Sequence, residues 1–208
     1  RDYYASRGLG DVYKRQINPL AAQMMLDRYP PIGKTVLLTA AGSDCAVLLG
    51  QWARQAGAEA VYGIHRSPVH AQRLAEMGIV PIAQDDTAAV NAAAAQAEVV
   101  YDATGGSLAE AILSVMPETG TFVCYGLLSG QTFRQQRPLP RVVWFHIRNY
   151  LDALSAEAWQ AEFRRIWPKL RASQCSDATL YPLSEWQRAV GNYREAGRTG
   201  KPMLSMDN

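Results

Sequence analysis

The chain has 208 residues, 48% of them hydrophobic, with a formal net charge of +2 and a pI near 8.5. That length suits one α/β domain with a substantial core, and so small a charge gives no ground for a nucleic-acid or anionic-membrane partner. No apolar run approaches the ~20 residues that cross a bilayer, and the opening RDYYASRGLG lacks the apolar core of a signal peptide. Cys45, Cys124 and Cys175 stand apart without C-x-x-C spacing. They predict neither a disulfide framework nor a metal site, and they fit a reducing cytoplasm.

Residues 1–16, ending DVYKRQ, show no periodicity, and Arg rather than Met stands first. The segment reads as non-native or as a disordered arm, outside the fold, and the chain as a piece of something longer. Residues 18–29 predict a helix, with Leu20, Met24 and Met25 at helical spacing and Pro19 in the first turn. Residues 35–39 form a β-branched and leucine strand suited to burial on both faces, and 45–55 a crossover helix ended by Gly57. Strands then follow at 60–64, 79–83, 98–102 and 120–125, separated by helices at 68–77, 87–96 and 108–116. Such alternation predicts βαβ units and an α/β fold with a doubly wound parallel sheet. Residues 126–140, with Gly126, Gly130, Pro138 and Pro140, read as a long loop before a sixth strand at 142–145. A helix over 157–172 presents Trp159, Phe163, Ile166 and Leu170 on one face and should bend at Pro168. Ser184 and Gln187 form a capping box, Gly197 stops that helix, and 203–206 make a last strand.

The turn after the first strand carries the chemistry. In a G-x-G-x-x-G frame the glycine positions fall at Ala41, Ser43 and Ala46, with Gly42 the only glycine between them. All are small, Ala at the third position needs only close helix–strand packing, and Ser43 adds a hydroxyl donor. The helix that follows directs free N–H groups and its positive dipole end at this turn, so a pyrophosphate is the natural ligand. Asp44 would repel that anion unless its side chain turns away. A plain strand–turn–helix without ligand is the alternative.

The second strand ends His65-Arg66-Ser67, about 20 residues past the turn, without the carboxylate that would accept from ribose hydroxyls. Arg66 offers a fork of donors matched to phosphate, Ser67 a hydroxyl, and His65 and His70 further donors; the combination favours NADPH over NADH. A solvated arginine is the other reading. Two more loops lie at the C-terminal ends of strands, where such a sheet binds ligands: Ala103-Thr104-Gly105-Gly106 and Gly126-Leu127-Leu128-Ser129-Gly130. Their glycines permit close backbone approach.

The runs NPLAAQMML, VLLTAAGSDCA, GIHRSP, VVYDATGG and GTFVCYGLLSG resemble the medium-chain dehydrogenase/reductases. So do VVWFHIRNY, FRRIWPKL and YPLSEWQRAV…GKPMLSM, and the likeness spans about residues 17–206. It is greatest to the zinc-free, NADPH-using quinone oxidoreductase and enoyl thioester reductase branch. The resemblance implies a Rossmann-type dinucleotide-binding domain at 17–180, and at 181–208 a helix and strand that return to a catalytic domain absent from this chain. It implies that Gly42, Ser43, Asp44, Cys45 and Ala46 hold the pyrophosphate, and Arg66 with Ser67 the 2′-phosphate. Tyr125, Gly126, Leu127, Leu128 and Ser129 would approach the nicotinamide, with Trp144, Phe145 and His146. Asp44, Cys45 and Ala46 depart from the small residue, Val and Gly usual there.

The implied reaction is hydride transfer from NADPH to a small-molecule substrate, an α,β-unsaturated carbonyl or thioester or a quinone, without a metal. Its catalytic residues would lie outside this chain; His146 reads as a packed histidine before a general acid. A binding module that holds NADPH without chemistry is the second reading. A methyltransferase is disfavoured by the missing acid after the second strand. Nucleic-acid binding by Arg134, Arg137, Arg141 and Arg148 is disfavoured because a solvated loop and packed strand account for them. The resemblance also implies a homodimer through the edge strand near 142–145.

Overall fold

The computed structural model describes residues 9–151, 155–195 and 197–206. Helix α1 (Leu9–Arg28) leads into strand β1 (Thr35–Leu38), helix α2 (Asp44–Gln55) and strand β2 (Ala60–His65). A single 3-10 turn (Pro68–His70) precedes α3 (Ala71–Glu76), and β3 (Val80–Ala83), α4 (Thr87–Ala94), β4 (Val99–Asp102), α5 (Gly106–Val115) and β5 (Thr121–Cys124) follow. The long loop then enters β6 (Arg141–Trp144) and a short α6 (Arg148–Leu151). The end of the chain comprises α7 (Ala156–Arg171), β7 (Ala178–Pro182), α8 (Trp186–Arg194) and β8 (Lys201–Ser205).

The first six strands make one parallel sheet in the order β3-β2-β1-β4-β5-β6. Chain order reverses between β1 and β4, which opens a crevice at the C-terminal ends of those strands. Alternation along each strand sorts side chains between two cores. Val36, Leu38, Val99, Tyr101 and Val123 face α1, α2, α3 and α7. Leu37, Val100, Phe122 and Cys124 face α4 and α5. Burying Leu20 and Met25 of α1 completely contributes about 1.5–3 kcal/mol each, and Tyr101 ties α1 to the sheet by donating its hydroxyl to the Tyr29 carbonyl at 2.5 Å. No described helix is long and apolar enough to cross a membrane.

The expected strands and helices of the sheet are present, and four details differ. Helix α1 begins at Leu9, so Pro19 lies inside it and not in its first turn; residues 1–8 fall outside the described residues. The capping box is absent. A 3-10 turn at Leu183–Glu185 takes up the residues expected to begin α8, which starts at Trp186 with no side-chain cap. Strand β7, unseen in the sequence, pairs in parallel with β8 as a separate two-stranded sheet and crosses the boundary expected after residue 180. Its alternation is hidden because most of its side chains are exposed. Helix α6 is a single turn, too short for any periodicity.

Candidate functional site

At the end of β1 the chain turns through Ala40, whose φ of 47° lies in the left-handed region usually left to glycine. The Ala41 N–H donates to the Ile64 carbonyl at 2.8 Å and the Ser43 N–H to the Ala40 carbonyl at 2.9 Å. Ser43 caps α2 by accepting from the Ala46 N–H at 3.4 Å. Ala41 and Ala46 are wholly buried. The room that glycine would give inside the turn comes from the neighbouring strand, because a Cβ at Gly63 would stand 2.9 Å from the Ala41 Cβ.

Asp44 lines the crevice beside the turn, with its carboxylate held by a cation. Its carboxylate meets Lys201, the first residue of β8, at 2.9 Å. Burial pushes the Asp44 carboxyl upward, but the Lys201 ammonium and the Ser176 hydroxyl, with Arg198 beyond, hold it below its ordinary value. The buried Cys45 donates to the Asn18 carbonyl at 3.8 Å, and burial with the Asp44 charge pushes its thiol up to about 12.

The opposite wall is built on Asp102, which is fully buried at the end of β4. It accepts from the Thr39 hydroxyl at 2.6 Å, the Thr104 N–H at 3.1 Å and the Gly105 N–H at 2.9 Å. Burial raises its carboxyl, and those donors oppose the rise. Gly105 has φ 69°, and a Cβ there would stand 2.5 Å from Leu127. The two glycine loops form one wall: Leu128 N–H donates to the Ala103 carbonyl at 2.9 Å and Ser129 N–H to the Thr104 carbonyl at 3.0 Å. Gly126 lies against the Ala103 carbonyl so closely that a Cβ would be 3.1 Å from it.

Between the walls lies a crevice of about 500 Å³, within the range of small-molecule sites. Gly42, Ser43, Asp44, Cys45, Ala103, Tyr125, Gly126 and Leu128 line it together. The Tyr125 hydroxyl is buried near the Ser43 side chain, and burial, with Cys45 and Asp102 adding to it, raises the phenol well above its ordinary value against that contact. The other expected residues sit elsewhere. Ala46 lies beneath the turn; Thr104, Gly105, Leu127 and Ser129 support the wall from outside the crevice lining. His65, Arg66 and Ser67 stand at the end of β2, beyond the crevice, with Arg66 exposed. Trp144 is 54% exposed and stacks on Phe133 at 5.0 Å, while Phe145 is buried against Tyr150. His146 is exposed, not packed.

The sequence reading missed the far bank of the crevice, made by Asn18, Ser176, Tyr193, Arg198, Gly200 and Lys201. Its one signal was the basic run Gly197-Arg198-Thr199-Gly200-Lys201. Arg198 lies 4.8 Å over the Tyr193 ring and donates to the Gly200 carbonyl at 3.1 Å. Lys201 and Arg198 thus line the crevice together with the Asp44 carboxylate, to which Lys201 is paired. Among the described residues, no group of three or more His, Cys, Asp or Glu side chains could hold a metal ion.

The sequence profile of a family described as zinc-binding dehydrogenase matches residues 46–170. Among curated proteins no sequence matches. Solved structures share the fold. A Bacillus thuringiensis protein described as an NADPH:quinone reductase superposes with a TM-score of 0.79 at 22% identity, over 90% of this chain and 61% of its own. The CurK enoyl reductase gives 0.74 at 20% identity, over 91% and 60%. CurA of Vibrio vulnificus, solved in complex with NADPH, gives 0.72 at 16% identity, over 91% and 62%. The chain thus spans about three fifths of the length of these structures. With a profile match over more than half its length and this sheet order, the chain belongs to the zinc-binding dehydrogenase family of the medium-chain dehydrogenase/reductases.

Proposed function

We propose that this chain is the cofactor-binding part of an NADPH-dependent, zinc-free oxidoreductase that reduces an α,β-unsaturated carbonyl or thioester, or a quinone. The observation that carries the proposal is the crevice at the sheet's switch point, where the Gly42–Ser43 turn and the Ala103 and Gly126 loops converge. The residues fit the cofactor. The α2 N-terminus, Lys201 and Arg198 suit a pyrophosphate, Gly126 leaves the wall flat enough for a ring, and the buried Tyr125 hydroxyl offers a donor. Arg66 and Ser67 suit a 2′-phosphate. Bound NADPH would supply the hydride; the protein orients it, keeps water from the crevice and holds charge in place. The NADPH, quinone and enoyl descriptions of the similar structures support this reading.

The remaining contacts belong to the same proposal. Leu180, Leu183, Trp186, Leu204 and Met206 are exposed around β7, α8 and β8 and fit a catalytic domain packed there. The free edge of β6 and the exposed Trp144 suit a homodimer. A cytoplasmic location goes with the scattered cysteines. A module that binds NADPH without turning it over is the second reading, favoured by the three-fifths coverage of the similar structures. Fluorescence titration with NADPH and NADH tests the cofactor assignment. NADPH should bind at least about tenfold more tightly, and Arg66→Ala should remove about 1.5–3 kcal/mol of that preference. Equal affinities, unchanged in the variant, would sink it. Adding the catalytic domain separates the two readings, since NADPH oxidation should then appear.

A further inference from the structure

The crevice ends abruptly at Gly42. A dinucleotide lying at the switch point must continue from the pyrophosphate turn to the end of β2, where its adenosine ribose is recognised. Yet among the described residues that line the crevice none falls between 63 and 70. The reason is His70. A Cβ built on Gly42 would stand 2.5 Å from His70 Cδ2, 2.6 Å from Cγ and 2.8 Å from Nε2, so the imidazole fills the space beside Gly42 that a side chain would take. The next residues complete the cover. Ser67 Oγ and Val69 Cγ1 would stand 2.6 and 3.5 Å from a Cβ on Gly197, and they close the space between the β2 end and the C-terminal loop.

Little holds the ring in place. His70 Nδ1 is buried with no hydrogen-bond partner, and the 3-10 turn that carries His70 has no side-chain cap. Behind it, His65 is 6% exposed with its own Nδ1 unpartnered, and Arg73 Nη2 is buried and unpartnered as well. Buried nitrogens left without partners are costly and rare. With the ring's own Nδ1, those of His65 and Arg73 make three such nitrogens close together in the closed arrangement.

Building on the NADPH reading, we infer that His70 is a gate: its imidazole covers Gly42 and swings aside to let the adenosine end of the cofactor reach Arg66 and Ser67. The gate lowers affinity by the fraction of time it is closed, and it acts on the adenosine half alone. The nicotinamide half meets an open crevice.

Calorimetric titration of the chain and its His70→Ala variant with 2′,5′-ADP and with nicotinamide mononucleotide tests this. The variant should bind 2′,5′-ADP about fivefold more tightly or better, as removal of a gate open about a fifth of the time requires. Its affinity for the mononucleotide should not change. Unaltered or weaker binding of 2′,5′-ADP overturns the gate and leaves the NADPH reading standing, whereas failure of both proteins to bind NADPH or either half overturns both. In the unaltered chain, the nuclear Overhauser contact between His70 Hδ2 and Gly42 Hα should vanish on saturation with 2′,5′-ADP. Its persistence would overturn the gate whether or not the variant folds.

Discussion

Strands β4 and β7 have the same parallel pairing and opposite surroundings. All four residues of β4 are buried, between β1 and β5 and beneath helices on both faces. In β7 only Tyr181 is partly covered, Leu180 is 68% exposed, and β8 is the single partner. The sheet is therefore held by apolar area. The C-terminal unit buries little beyond Ala189, Pro202 and Met203, and polar contacts do much of the fastening. Gln51 and Gln174 exchange hydrogen bonds at 2.9 Å, Trp52 donates to Ser173 at 2.8 Å, and Asp44 pairs with Lys201. The first region resists changes of solvent; the second depends on single contacts and their charge.

Substitutions can break this contrast or sharpen it. Phe122→Ala, which opens a cavity at a fully buried position of β5, should cost about 4 kcal/mol of unfolding free energy in urea. A loss below about 2 kcal/mol would mean the sheet is not held by packing. Next, Asp102→Ala should cost about 3 kcal/mol, since it strands the Thr39 hydroxyl and two loop N–H groups in the interior. It should also speed amide exchange at Thr104 and Gly105, and unaltered exchange there would deny Asp102 its role in the wall.

The Asp44–Lys201 pair, with its side chains 28% and 16% exposed, should contribute about 1 kcal/mol. Because the folded-state carboxyl of Asp44 lies below its ordinary 3.8, this contribution is present above that value and is lost as pH falls through the folded value. Amide protection across β8, corrected for the intrinsic exchange rate at each pH, should fall on acidification, and Asp44→Asn should remove that pH dependence; a β8 equally acid-sensitive in the variant would refute the link. The smallest effect belongs to Leu180→Ala, within about 0.5 kcal/mol. A cost above about 2 kcal/mol would show Leu180 to be buried in solution, by a partner or a second copy.

Most of the sheet was legible because its signals are local. Val36 to Leu38 and Val99 to Tyr101 carry the apolar runs of strands covered on both faces, and Gly57 and Gly78 mark the ends of helices. The turn after β1 was legible in position but not in detail. Its missing glycines looked like defects, and only the packing of Gly63 under Ala41 accounts for them. Strand β7 was not legible, since an exposed two-stranded sheet imposes no alternation on its residues.

The sequence alone determined the alternation of strands and helices, the turn at Gly42–Ser43 and the cation at Arg66, because hydrophobic period and turn chemistry depend on near neighbours. Only the tertiary structure decided the rest of the site. It brought Lys201 to Asp44, laid the Gly126 loop on Ala103 and set His70 over Gly42. These contacts join segments far apart or out of period with one another. Their partners are chosen by how the sheet is ordered and packed, which no local pattern records.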